Sequence, residues 1–168
     1  CTIGIPVRYH DAVLLYEEIK PDFLEFHLSY KDIDYSIKKI ERLIDKIPKN
    51  LLHTFHAPDF YKNDLIFDPF SRDSDIQSKS IIEFERFLSH VNKILEKSLI
   101  DDSRKIPIVT SFSCATLKEL LDKNIKARLY ESLFIFLKKI EKKFPKLKIE
   151  LYLMSLDKRV KKFNKITI

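Results

Sequence analysis

The chain has 168 residues, 45% of them hydrophobic, which suits one domain with a core of its own. Its net charge is +6, but lysine dominates over arginine and alternates with glutamate along helical segments (Lys38, Lys39, Glu41; Lys138, Lys139, Glu141, Lys142), so a solvated surface is favoured over a nucleic-acid partner. The single glycine, Gly4, excludes glycine-rich phosphate loops, Cys1 and Cys114 form no disulfide framework or zinc ribbon, and the lack of any run of ~18 apolar residues or visible signal peptide leaves a soluble cytoplasmic protein with no membrane partner as the expectation.

The first predicted strand lies in TIGIPVRYH, with Ile3, Ile5 and Val7 on one face and Arg8 and His10 on the other. Asp11 is placed to cap a short helix that Pro21 stops. A second strand, about 23–28, alternates Leu24, Phe26 and Leu28 with Glu25 and His27. Ile33, Ile37, Ile40, Ile44 and Ile47 then repeat at helical spacing up to Pro48.

The third strand, 51–56, ends in His-Ala-Pro and opens into a loop over about 58–73 that carries Tyr61, Phe67, Pro69 and Phe70. A loop of that length in a compact domain is usually functional or disordered. Ser74 or Asp75 is expected to cap a long helix whose buried stripe is Phe84, Phe87, Leu88, Val91, Ile94 and Leu95. A fourth strand follows at about 106–112. A helical region then begins after a cap at Thr116, breaks near Asn124 and ends at Pro145. A fifth strand covers 147–156.

The alternation β-α-β-α-β-α-β-α-β predicts an α/β fold of parallel βα repeats. Polar residues at several strand C-termini, with no glycine-rich first turn, favour part of a (β/α)8 barrel over a doubly wound sheet. A complete barrel takes roughly 250 residues, so about five strands are expected here. The domain is placed at residues 1–156, with a basic tail at 157–168. A chain that starts at Cys1 is also expected to be a piece of a longer protein.

Barrel enzymes place their chemistry at the C-terminal ends of the strands. On that model Arg8, His10, Glu25, His27 and His56 converge on one rim. Glu25 and His27 are the catalytic candidates, since a carboxylate inside so apolar a strand needs a partner. Arg8 and His10 would bind the acidic part of a substrate. Imidazoles and carboxylates converging there suit Zn²⁺, Mn²⁺ or Fe²⁺. His53 has the opposite parity to His56 and is expected to face a helix. His90 is read as a surface or helix-packing residue.

HAPDFY at the end of a third strand resembles the endonuclease IV and xylose-isomerase-like barrel superfamily. That resemblance implies a metal-ligating role for His56. GIPVRYHD at 4–11, PDFLEFHLSYKDID at 21–34 and HAPDFYKNDLIFDPFSRDSDIQSKSI at 56–81 together look like the barrel domain found C-terminal to the synthase in some long N-acetylneuraminate synthase-type proteins. That likeness implies a sugar phosphate isomerase/epimerase-like activity in sialic (nonulosonic) acid biosynthesis. A sugar or sugar phosphate would be the small-molecule partner, and an upstream synthase domain or a second copy of the chain the protein partner. The superfamily often has a histidine at the end of the fourth strand and a metal-binding glutamate near the end of the fifth. Here the fourth strand reads IPIVTSFSC, and Glu150 sits near the start of the fifth. A truncated piece without activity of its own is therefore a second expectation. An endonuclease IV-like metal-dependent DNA-repair nuclease and a non-catalytic assembly module are the alternatives.

Overall fold

The computed structural model describes residues 3–97, 99–100, 105–111, 123–152 and 165–167. Five strands lie parallel: β1 (Gly4–Val7), β2 (Phe23–His27), β3 (Leu52–His56), β4 (Ile106–Ser111) and β5 (Leu147–Tyr152). The helices between them are α1 (Ala12–Ile19), α2 (Ile37–Ile44), α3 (Ser74–Glu96) and α4 (Lys123–Lys143). The sheet order follows the chain order. A doubly wound sheet reverses its order at a central crevice; this one winds in one direction, as consecutive units of a (β/α)8 barrel do. The expected α/β fold of about five parallel βα repeats is the observed one.

Alternation along the strands separates the two faces. Leu24 and Phe26 of β2, His53 and Phe55 of β3, and Ile106 and Ile108 of β4 are buried. They join Phe84, Phe87, Leu88 and Ile94 of α3 in one core, with Phe26 and Phe55 stacked at 5.2 Å between ring centroids. The intervening residues, among them Glu25, His27, Thr54 and His56, are half-buried on the other face. Hydrophobic burial thus fixes the register, because a slip of one residue would exchange the two faces.

The structure departs from the sequence-based expectations at several ends. Asp11 does not cap α1; its Oδ1 turns back to accept from the Arg8 N–H at 2.7 Å. The isoleucine stripe is not one helix. Residues Asp32–Asp34 form a 3-10 turn, and extended Ser36 starts α2 afresh by accepting from the Lys39 N–H at 3.3 Å. Asp73, rather than Ser74 or Asp75, caps α3 through the Asp75 and Ile76 N–H groups at 2.9 and 3.3 Å. Helix α4 is described from Lys123 to Lys143; Thr116 and the segment leading up to the expected break near Asn124 lie outside the described residues.

Part of the basic tail is also built into the sheet. Strand β6 (Lys165–Thr167) pairs antiparallel with β5. At the other end β1 carries Pro6, which lacks an N–H and is tolerated at a sheet edge. Gly4, paired with Phe23, lies so close to the Phe23 ring that a Cβ would collide with it. The long loop after β3 is anchored from below. Phe67 stacks on Phe84, Phe70 meets Phe136 of α4, and the buried Ser80 hydroxyl accepts from the Asp68 N–H at 3.0 Å. Phe67 and Phe70 therefore pack into the helix layer.

Candidate active site

The parallel register sets His27 beside His56 at the C-terminal ends of β2 and β3, and Glu25 one pleat below His27. The two imidazoles stack with centroids 4.5 Å apart and planes 20° apart. His27 Nε2 lies 2.5 Å from Glu25 Oε1. A carboxylate can only accept, so His27 carries its proton on Nε2 and keeps the lone pair on Nδ1. His56 is held the other way round: its Nδ1 lies 2.8 Å from the Ala57 carbonyl oxygen and must donate, which leaves the lone pair on Nε2. In their neutral forms the two rings therefore have opposite tautomers. The His27 side chain is 45% exposed and that of Glu25 28%, so a ligand can reach them.

The same row continues across the sheet. His56 pairs with Val109, and Val109 with Glu150. Glu150 is therefore level with the histidines on the same face, about 10 Å from His56 at two interstrand steps. It stands near the start of β5 in sequence, but the stagger of the strands brings it to the height of the site. Glu150 also lies 3.7 Å from Lys148.

Arg8 and His10 follow the end of β1, and each has a carboxylate partner. Arg8 Nη1 donates to Asp32 Oδ2 at 3.1 Å, and His10 lies 3.8 Å from Asp11. Asp32 is buried, and the same oxygen accepts from the Ser29 N–H and the Ser29 hydroxyl, each at 2.7 Å. The Arg8 side chain is 45% exposed, which leaves donors of its fork open to solvent.

His53 faces the helices, as its parity requires, and stacks on Phe26 at 5.8 Å. His90 is not a surface residue. It is buried, with Nε2 3.0 Å from the hydroxyl of fully buried Tyr9. Burial first, then the nearby Lys93 charge, lowers its pKa to about 4. Burial also pushes the Tyr9 phenol well up, with the Asp32 charge adding to the shift. Asp32, Tyr9 and His90 escaped sequence reasoning. The signal for Asp32 was present, since an aspartate three residues after Ser29 is turn chemistry; a contact between residues 9 and 90 leaves no local trace.

A metal was expected at His56. Among the described residues no group of three His, Cys, Asp or Glu side chains is placed to hold one. The donor set does not fit a complete centre, and no step below passes through a metal. A cleft of about 770 Å³ between the long loop and α3 is lined by Lys62, Leu65, Ile66, Ile76, Lys79 and Ile82 among others, and by none of the five site candidates. Among the described residues no helix is long and apolar enough to cross a membrane. Comparison of the chain with protein-family models, with curated proteins and with solved structures finds no match.

Proposed function

We propose that the chain is a sugar phosphate isomerase/epimerase-like domain of the kind associated with nonulosonic (sialic-type) acid biosynthesis. One observation carries the reading: Glu25, His27 and His56 meet on the C-terminal rim of a sequentially wound parallel sheet. In this reading His27 Nδ1 removes a proton from the carbon beside a sugar carbonyl. The C–H electron pair moves into an enediolate, and Glu25 stabilises the imidazolium that forms. Return of the proton to the neighbouring carbon gives the isomer, while the hydroxyl proton passes by way of the His56 Nε2 lone pair from one oxygen to the other. Delivery of a solvent proton to the opposite face of the original carbon, with His27 releasing its own proton to solvent, gives the epimer. Arg8 and His10 hold the acidic part of the sugar phosphate.

A divalent ion (Zn²⁺, Mn²⁺ or Fe²⁺) held at His56 Nε2 would supply polarisation of the carbonyl instead. An upstream synthase domain or a second copy of the chain is the protein partner in this reading.

The test is solvent exchange. Aldose and ketose phosphates are incubated with the protein in D₂O, with and without added Mn²⁺ or Zn²⁺, and followed by proton NMR. Deuterium should enter at the carbon beside the carbonyl, and His27→Ala should abolish it. No exchange into any aldose or ketose phosphate, under either condition, would sink the proposal.

A further inference from the structure

His90 occupies the middle of α3, yet its side chain reaches the loop after β1. Nε2 meets the Tyr9 hydroxyl at 3.0 Å, and Tyr9 stands between Arg8 and His10 in the β1–α1 loop. Helix α3 also packs against the 3-10 turn Asp32–Asp34 between β2 and α2, and the Tyr9 ring meets Tyr35 at the end of that turn. His90 thus ties α3 to the β1–α1 loop where the two loops adjoin.

The β2–α2 turn also reaches Arg8. The Asp32 carboxylate takes the Arg8 guanidinium at 3.1 Å together with both donors of Ser29. Tyr9, held by His90, thus adjoins Arg8 in the chain and the β2–α2 turn through Tyr35, and that turn holds the Arg8 guanidinium through Asp32. Tyr9 is fully buried, with Phe26 and Tyr35 rings at 5.4 and 6.3 Å. Its hydroxyl would have to break this packing to find another partner, so the Tyr9–His90 bond fixes where the β1–α1 loop sits.

We infer that His90 is the positioning residue for Arg8, holding the β1–α1 loop against the β2–α2 turn so that the guanidinium is presented to the anionic group of a sugar ligand. This rests on the reading of Arg8 given above. It adds that the anion site is set from α3, by a residue that touches no ligand.

Inorganic phosphate, titrated calorimetrically into the full chain near neutral pH, is the probe. Arg8→Ala should weaken phosphate binding more than any other single change, to a measurable remainder. Tyr9→Phe and His90→Leu should each weaken it about tenfold, the scale of one hydrogen bond. His90→Gln, whose amide offers both an acceptor and a donor, should recover most of the loss. The double variant Arg8→Ala/His90→Leu should bind no more weakly than Arg8→Ala, because His90 acts through Arg8. Tyr9→Phe is the mild change that keeps the test readable if His90→Leu unfolds. Wild-type affinity in both Tyr9→Phe and His90→Leu, with Arg8→Ala impaired, would overturn the positioning role and leave the reading of Arg8 standing. Absence of phosphate binding by the wild-type chain would overturn both.

Discussion

His27 and His56 stack at 4.5 Å with opposite tautomers, one set by the Glu25 carboxylate and the other by the Ala57 carbonyl. The pairing depends on an in-register parallel β2–β3 pair, which brings the last residues of both strands level. It makes the two rings unequal, since only His27 has a carboxylate behind it. On the proposed chemistry, Glu25→Gln keeps the shape of this contact and removes the charge that stabilises the imidazolium. Solvent exchange into a sugar phosphate should fall by about 10²-fold. Glu25→Gln with unchanged exchange would show that the carboxylate is only a strand-face neighbour.

The buried Tyr9–His90 pair makes stability depend on pH. The His90 pKa is lowered from 6.5 to about 4 in the folded chain. Between those values the unfolded chain binds a proton that the folded chain does not. The stability contribution is therefore complete above about pH 6.5 and is lost as pH falls toward 4. Some 2.5 pKa units correspond to roughly 3 kcal/mol. Urea unfolding at about pH 7.5 and about pH 4.5 reads the loss, and His90→Gln should shrink the difference between the two conditions. An equal difference in wild type and variant would assign the acid sensitivity to other groups.

Much of this fold was legible because periodicity records burial. The alternation of Leu24 and Phe26 with Glu25 and His27 announced both the strand and its two faces, and parity alone separated His56 from His53. The ends were less legible, because caps are decided by single side chains. Asp11, Asp73, Ser74 and Asp75 are all acceptable caps by type, and only the path of the chain selects among them. Contacts between distant residues were not legible at all. Nothing near Arg8 in sequence indicates Asp32 as its partner, and Glu150 joins the histidine row through the register of three successive strand pairs.

The cap of α3 offers a clean local test. Asp73 accepts from two N–H groups of the first turn, whereas Asp75 lies inside the helix and pairs with exposed Lys79. Asp73→Ala should cost about 1 kcal/mol. Asp75→Ala removes an exposed i,i+4 ion pair and should cost only about 0.3–0.5 kcal/mol. Denaturant midpoints of the two variants decide the order. A larger loss for Asp75→Ala would move the helix start into the helix as first expected from the sequence.

Gly4 is the one position where the edge strand depends on the absence of a side chain. Its backbone conformation is ordinary for a strand, so the constraint is space and not a left-handed φ. A methyl group at Gly4 would meet the Phe23 ring across the β1–β2 pair. Phe23 is half-buried at the start of β2, and the Asp22 and Phe23 N–H groups both point to the Ile3 carbonyl, at 2.8 and 3.3 Å. Moving the ring therefore strains the contacts that bind β1 to the sheet. Gly4→Ala should destabilise the chain by about 1–3 kcal/mol, the usual cost of overpacking. Gly4→Ala combined with Phe23→Leu should recover part of that loss by opening room for the methyl. Thermal unfolding of the two variants checks this, and a single variant as stable as the wild type would show that the Phe23 ring swings aside without cost.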